Sequence, residues 1–416
     1  MSVARVIAMV AVALAAIAVR DGADIASAQS RCLPPLIPCA PAPQPEPAPA
    51  PTPAPEPEPL LELGLTEADA RLLDASRQRS PGTLVAALKP RYVRVLVDWN
   101  RIQPRKGQRP NWDAPAGGCP RHVPRCKSAG LRGLLEAIRS RGQADGGWKV
   151  VIVPYFTPRW AARPRTGCER RGTTAKARMP RIAHYRRFLH QIQALGDKLD
   201  LELDYWTPWN EPNHPGFLNP QRRICDRSSK PLAPALYAQL ARAAAKELRP
   251  GQKLVIGELA GLKKRKAHSS STTEFIRAMP SDVVCGDVRA FAQHAYIGKR
   301  GRRGKAAQRI DPATAVRSTT RLLNGVDAAL RSHGCQMPLW ISEAGTFDHR
   351  CEAMAATLAT WARDPRVEAA FQYTSREASG YPVGLINRSL RKTYRSYRAW
   401  LAFAGSTDEI PERPCD

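Results

Sequence analysis

Short segments rich in β-branched and aromatic residues alternate with longer amphipathic segments from about Leu60 onward. Such short apolar runs are typical of strands, and apolar residues three or four positions apart are typical of helices. We predict strands at LELGL, YVRVLVDW, WKVVIVPY, LELDYWTPW, KLVIGEL, VRAFAQHAY, PLWISEA and EAAFQYT. We predict helices at GLRGLLEAIRSRG, RIAHYRRFLHQIQALGDKL, PALYAQLARAAAKELRPG, PATAVRSTTRLLNGVDAALRSHG, CEAMAATLATWARD and LRKTYRSYRAWLAFAG.

Strands that alternate with helices predict parallel βαβ units, and eight such units predict an α/β fold of the (β/α)8 barrel type. A doubly wound open sheet is the alternative. That fold commonly carries a glycine-rich turn, G-x-G-x-x-G, after an early strand. No such turn follows an early strand here, so the barrel is favoured.

Two segments before the barrel have a different composition. Residues 1–28 combine Arg5, a short apolar run and a small-residue site at Ala26–Ala28, which predicts an export signal. An uncleaved membrane anchor is the alternative. Residues 29–59 are rich in proline and predict an extended linker, either a spacer or an inert tail. Residues 60–416 form the predicted barrel domain, and we expect a secreted or cell-surface location.

The chain has ten cysteines, which also bear on where the protein is located. An exported chain with many cysteines is expected to form disulfides. Cys32 with Cys39 and Cys119 with Cys126 are close enough in sequence to be bridges, although the sequence does not fix the pairing. No C-x-x-C pair is present, so a zinc ribbon is not expected.

The formal net charge of +27 favours a polyanionic partner. Most of this charge lies in the segments that follow predicted strands two to eight, including KKRK at 263–266 and KRGRRGK at 299–305. Nucleic acid is not the expected partner, because aromatic residues are only 6% of the chain and no basic and aromatic stacking motif is present. An anionic glycan is the hypothesis, and simply solvated loop charge is the alternative.

Two acids lie where predicted strands end. Glu211, in YWTPWNEPN, ends the fourth strand, and Glu343, in LWISEAGT, ends the seventh. Active sites of parallel barrels lie at the carboxyl ends of the strands, so these two side chains, here called the acidic pair, are expected to face each other. Two facing carboxylates are what glycoside cleavage requires.

The motifs WNEPN and WISEAG, on the correct strands, resemble the retaining β-glycoside hydrolases of clan A, of the family 5 and family 39 type. The resemblance covers roughly Leu60 to Gly405. It implies that Glu211 is the acid/base, that Glu343 is the nucleophile, and that Asn210 binds the sugar 2-hydroxyl. No metal or organic cofactor is expected, because two carboxylates and water suffice for this reaction.

Further residues are predicted to contact the substrate or the nucleophile. Arg94 lies within the second strand, where members of the clan commonly have an arginine, and a buried structural ion pair is its alternative role. His294 and Tyr296 are two positions apart on the sixth strand and therefore share a face. Trp99 and Tyr155, at the ends of strands two and three, are expected to stack on sugar rings or to pack in the core. Glu258, at the end of strand five, is predicted to make a secondary polar contact in the site rather than to act as a catalyst.

One segment departs from the clan pattern. Many members have a tryptophan at the end of strand eight, whereas this strand reads FQYTSRE, so Gln372 or Tyr373 takes that place. The departure leaves the sugar open but not the class of reaction. The prediction is a secreted glycosidase that acts on a β-linked oligo- or polysaccharide. A barrel that binds carbohydrate or cell wall without turnover is the alternative.

Overall fold

The computed structural model describes most of the chain from Leu61 onward, namely residues 61–73, 82–114, 130–144, 147–169, 173–264, 266–301, 307–378, 381–404 and 409–416. The predicted export signal at 1–28 and linker at 29–59 lie outside these residues. So do the suggested pairs of Cys32 with Cys39 and Cys119 with Cys126. None of the helices in the described ranges is long and apolar enough to cross a membrane.

Eight parallel strands form one closed barrel, in which each strand pairs with its neighbours in sequence and the last pairs with the first. The strands are β1 Glu62–Thr66, β2 Tyr92–Asp98, β3 Lys149–Tyr155, β4 Tyr205–Trp206, β5 Lys253–Leu259, β6 Ala290–Ile297, β7 Leu339–Thr346 and β8 Val367–Tyr373. The predicted (β/α)8 fold is therefore confirmed.

The helices lie between the strands and after the last one. They are α1 Ala70–Leu73, α2 Gly82–Ala87, α3 Trp99–Ile102, α4 Gly130–Ala144, α5 Ile182–Lys198, α6 Ala233–Ala245, α7 Thr272–Arg277, α8 Ser281–Val284, α9 Pro312–Arg331, α10 Cys351–Ala362 and α11 Ser396–Phe403. The five helices that the sequence did not predict have at most six residues, too few to show a helical period. Of these, α7 begins with a capping box between Ser271 and Glu274, which was visible as S-x-x-E.

The fourth strand is much shorter than the predicted span of residues 201–209. Only Tyr205 and Trp206 pair as a strand. Asp204 bonds to the neighbouring strand through its side chain, which accepts the Val150 N–H at 2.8 Å, and Pro208 has no amide proton to donate. Glu211 consequently lies on a loop that follows β4 rather than within the strand.

Aromatic side chains fill the interior of the barrel. Tyr92, Tyr205, Trp340 and Phe371 pack with ring centroids 4.8–5.6 Å apart. Because side chains of a strand alternate between its two faces, Arg94 shares the interior face with Tyr92, one step closer to the carboxyl end. Arg94, which is fully buried, therefore lies in the interior on the carboxyl side of Tyr92.

Among the residues that the structure describes, three disulfides connect segments far apart in sequence. They join Cys168 with Cys225, Cys285 with Cys335, and Cys351 with Cys415. The first links the segment after β3 to the segment after β4, both at the carboxyl ends of the strands. The third attaches the last residues of the chain to the start of α10.

Candidate active site

A cavity of about 730 Å³ opens at the carboxyl ends of the strands. Both members of the acidic pair line it, together with Asn210, His294 and Tyr296. One carboxylate oxygen of Glu211, one of Glu343 and a ring nitrogen of His294 all lie within 4.8 Å of one another. The two acids that the sequence placed on separate strands are therefore neighbours.

Glu211 is held by its backbone as well as by its side chain. Its φ of +43° lies in the left-handed region, which non-glycine residues rarely adopt. Its N–H donates to the carbonyl oxygen of Glu258 at 2.9 Å, and its Oε1 lies 3.0 Å from His294 Nδ1. Glu211 is the more exposed of the acidic pair, with 18% of its side chain accessible against 7% for Glu343.

Glu343 is surrounded by hydrogen-bond donors. Arg94 Nη1 lies 2.7 Å from its Oε1, and the Tyr296 hydroxyl donates to its Oε2 at 2.5 Å. His294 Nδ1 is 3.3 Å from the same Oε2. The pKa of Glu343 is raised, mainly by burial and also by the charge of Glu211, while the charges of His294 and Arg94 and the hydrogen bond from Tyr296 limit that rise. Two cations and a hydroxyl directed at one carboxylate favour its ionised form.

Arg94 is completely buried and connects several residues of the site. Besides Glu343 it contacts Glu258, and its Nη2 donates to Asn210 Oδ1 at 2.7 Å. That bond fixes the amide orientation of Asn210. Within the described part of the chain no acceptor binds the amide nitrogen of Asn210, which therefore remains free to donate to a ligand in the cavity.

Aromatic rings form the two walls of the cavity. Tyr155 and Phe156 lie on one side, and Phe156 stacks on Phe217 with centroids 5.4 Å apart and planes 6° apart. Tyr296, Tyr373 and Tyr381 lie together, with centroids of the closest two, Tyr296 and Tyr381, 4.6 Å apart. Flat apolar walls with polar groups between them are suited to sugar rings.

Two residues predicted to contact substrate are not brought to the cavity. Trp99 is fully buried, stacks on Phe188 at 4.7 Å, and donates to Gln103, so it packs in the core. Gln372 is also buried, and its amide donates to the carbonyl of Val383 at 2.7 Å. Tyr373 lines the cavity at the end of β8 in its place.

Some lining residues were not predicted from sequence. Phe217 and Tyr381 lie on loops, where no periodic pattern marks a side chain as facing the site. Glu258 was predicted only as a secondary contact, although it is the most deeply buried acid of the site. Its position at the end of β5 was the available signal.

The residues present give little support to a bound metal ion. Glu211, His294 and Glu343 offer three ligand atoms within 4.8 Å of each other. However, Arg94 and Tyr296 already donate to Glu343, and a metal cation there would be repelled by the guanidinium. A second group includes Cys168 and Cys225, whose sulfurs are joined in a disulfide.

Comparison with known proteins finds similar barrels among solved structures. No protein-family model matches the sequence, and no curated protein matches it in sequence. A family 39 glycoside hydrolase from the gut symbiont Bacteroides cellulosilyticus WH2 is similar, at 16% identity and a TM-score of 0.47 over 83% of this chain. The alignment covers 63% of that enzyme, so this chain spans less than two thirds of its length.

Two further structures have higher TM-scores. Fungal β-1,4-galactanases are 12% identical with a TM-score of 0.50, over 82% of this chain and 98% of theirs. A conserved exported protein from Bacteroides fragilis is 11% identical with a TM-score of 0.51, over 85% of this chain and 80% of that one. At these identities the likeness concerns the fold. The resemblance to the clan A glycoside hydrolases is thus confirmed for the barrel architecture.

Proposed function

We propose that this protein is a retaining β-glycoside hydrolase with Glu211 as acid/base and Glu343 as nucleophile. The observation that carries the proposal is the short distance between the acidic pair, whose carboxylate oxygens approach within 4.8 Å. Retaining glycosidases keep their two carboxyl groups roughly 5–5.5 Å apart, whereas inverting enzymes need about 6.5–9.5 Å to admit a water.

The reaction takes two steps. Glu211 gives its proton to the glycosidic oxygen while a Glu343 oxygen attacks the anomeric carbon, so the leaving sugar departs and a glycosyl ester forms. Glu211, now a carboxylate, takes a proton from water as the water oxygen attacks the same carbon and frees Glu343. Arg94 and Tyr296 hold Glu343 in place, and the amide of Asn210 donates to the 2-hydroxyl of the sugar.

The stereochemistry of the first product tests this mechanism. Each step inverts the anomeric carbon, so two steps restore the β configuration. We expect proton NMR of a reaction started with an aryl β-glycoside or β-linked oligosaccharide to show the β anomer before mutarotation produces the α anomer. An α anomer that forms first would require an inverting mechanism and would remove Glu343 as the nucleophile.

We also propose that the substrate carries negative charge, as a β-linked glycan with uronic acid or phosphate groups does. Lys263 and Lys299 line the cavity. Apart from the acidic pair, no acidic side chain among the described residues lines it. Positive side chains at the opening of a cavity attract anions and raise their rate of association, an effect that salt screens.

Changes of salt concentration and of charged residues are expected to affect the reaction of acidic glycans but not that of neutral glycans. At low salt, Lys263→Gln with Lys299→Gln should lower kcat/KM on an acidic glycan by roughly tenfold and leave a neutral one unchanged. Lys198→Gln with Lys253→Gln, which remove two exposed lysines at the opposite end of the barrel, are the matched control. Equal rates on acidic and neutral glycans without any effect of salt would contradict a charged substrate.

We propose that the protein acts outside the cytoplasm. The export signal predicted at residues 1–28 and the three disulfides among the described residues both support this location, because disulfides persist mainly in oxidising compartments.

A further inference from the structure

A third carboxylate, that of Glu258, lies beneath the acidic pair. Its side chain has no accessible surface, and its φ of +54° is in the left-handed region, as is that of Glu211. The carbonyl oxygen of Glu258 also accepts the N–H of Glu211, so the loop after β4 is bonded to the end of β5. An unusual backbone conformation at a buried acid indicates that surrounding contacts hold it there.

Cationic groups occupy both oxygens of Glu258. Arg94 Nε lies 3.2 Å from its Oε1 and Arg94 Nη2 lies 2.6 Å from its Oε2, while His294 Nε2 lies 2.9 Å from Oε2. Burial alone would raise the pKa of Glu258, but Arg94 and His294 outweigh burial and lower the pKa to about 2. A permanently charged, inaccessible carboxylate neither donates a proton nor attacks a sugar.

His294 stands between Glu258 and the acidic pair. Its Nε2 faces Glu258, and its Nδ1 lies 3.0 Å from Glu211 Oε1 and 3.3 Å from Glu343 Oε2. Carboxylate oxygens only accept hydrogen bonds, so a ring with carboxylates at both nitrogens is best satisfied when both nitrogens carry protons. Burial would lower the pKa of His294, but Glu343, Glu211 and Glu258 raise it to about 10.

We propose that Glu258 is a positioning residue that keeps His294 as an imidazolium whose Nδ1–H is shared between Glu211 and Glu343. The proposal rests on the reaction proposed above, in which negative charge moves from Glu343 to Glu211. Before attack Glu343 is the anion and Glu211 carries the proton. After attack Glu343 is a neutral ester and Glu211 is the anion. The imidazolium therefore faces one negative charge of the acidic pair in both states.

The position of Nδ1 fits this role. It needs to move little to exchange one partner for the other, because both oxygens are already within 3.3 Å. Glu258 fixes the opposite side of the ring, so the ring cannot turn its proton away from the acidic pair. Arg94 contacts Glu343 and Glu258 but makes no contact with Glu211, so it does not perform the same exchange.

Nitrogen NMR of the protein labelled with ¹⁵N-histidine tests the protonation directly and does not depend on knowing the substrate. The chain has eight histidines, and the His294→Gln variant assigns the relevant signal. We expect both nitrogens of His294 to be protonated at about pH 8, where an ordinary histidine is neutral. In Glu258→Gln, a substitution of the same shape without charge, the ring should lose its proton at least about one pH unit lower than in the unaltered protein.

Measurement of catalytic activity is the second test of the role of Glu258. Glu258→Gln should lower kcat/KM by about 10- to 100-fold, a typical cost of removing a supporting residue. The double variant with His294→Gln should be no slower than His294→Gln alone, because Glu258 acts through the ring. Glu247→Gln is the matched control: Glu247 is also buried against an arginine, Arg186, and a histidine, His190, but it follows α6 and does not line the cavity. Its activity should be unchanged.

The outcomes are distinct from those of the proposed function. If the wild-type protein has no activity on any β-glycoside, the proposed hydrolase function is wrong. The NMR experiment would still show whether both nitrogens of His294 are protonated. A neutral His294 at about pH 8, or a Glu258→Gln variant with an unaltered His294 titration, would overturn the role of Glu258. So would losses of activity that simply add in the double variant.

Discussion

Replacement of Glu343 by glutamine is expected to lower kcat/KM on an aryl β-glycoside by on the order of 10⁵-fold, because an amide cannot form the glycosyl ester. The amide has nearly the same shape as the carboxylate, so the cavity is retained. Arg94 and His294 lose an anionic partner, and some loss of stability is also expected. Circular dichroism and thermal unfolding of the variant distinguish a lost reaction from a lost fold.

A glutamate elsewhere on the barrel provides the control for this substitution. Glu352, at the start of α10, is half-buried and pairs with Arg395, and Glu352→Gln should keep full activity. Glu343→Gly with azide should regain part of the lost rate and yield an α-glycosyl azide, since azide then attacks the face that Glu343 used. If Glu343→Gln turns over substrate at the normal rate, the nucleophile is a different residue.

Replacement of Glu211 by glutamine should have an effect that depends on the leaving group. For a substrate whose leaving group is a poorly acidic alcohol, the first step should slow by about 10²–10⁴-fold, because no group protonates the departing oxygen. A dinitrophenyl glycoside departs without a proton, so its first step should be nearly as fast as in the unaltered protein. Stopped-flow measurement of the released phenol gives that step separately from hydrolysis of the ester.

The two substrates serve as controls for each other, because a damaged fold would slow both. Azide should accelerate the second step of Glu211→Gln and give a β-glycosyl azide, the opposite anomer to that from Glu343→Gly. Equal losses on both substrates would show that Glu211 is not the proton donor. The pair of variants thus assigns each carboxylate by a different product.

The barrel could be predicted because each strand has its own apolar run. All eight predicted strands are present, including β5, whose predicted and observed ends coincide. The exception was β4, where the side chain of Asp204 takes over a backbone contact with β3. A pairing of that kind involves a residue far away in sequence, and no local pattern reveals it.

The positions of those residues of the candidate site that lie on strands could be predicted from strand periodicity. Arg94, His294 and Tyr296 lie on strands, where alternation decides which side chains point inward. The same alternation applied to β8 would have chosen Tyr373 over Gln372, because Phe371 already points into the barrel. Tyr381 lies on a loop, and the depth of Glu258 depends on the cations around it, so neither follows from a strand pattern.

The disulfide between Cys168 and Cys225 has a practical consequence for recombinant production. It connects the loop after β3 to the loop after β4, which carries Glu211, and it closes a span of 57 residues. Closing a span of this length stabilises a fold by roughly 4 kcal/mol in the chain-entropy account. A bacterial cytoplasm keeps thiols reduced, so a preparation from that compartment would lack the covalent connection between these two loops. Periplasmic expression or an oxidising host strain is therefore the appropriate source of protein for tests of activity.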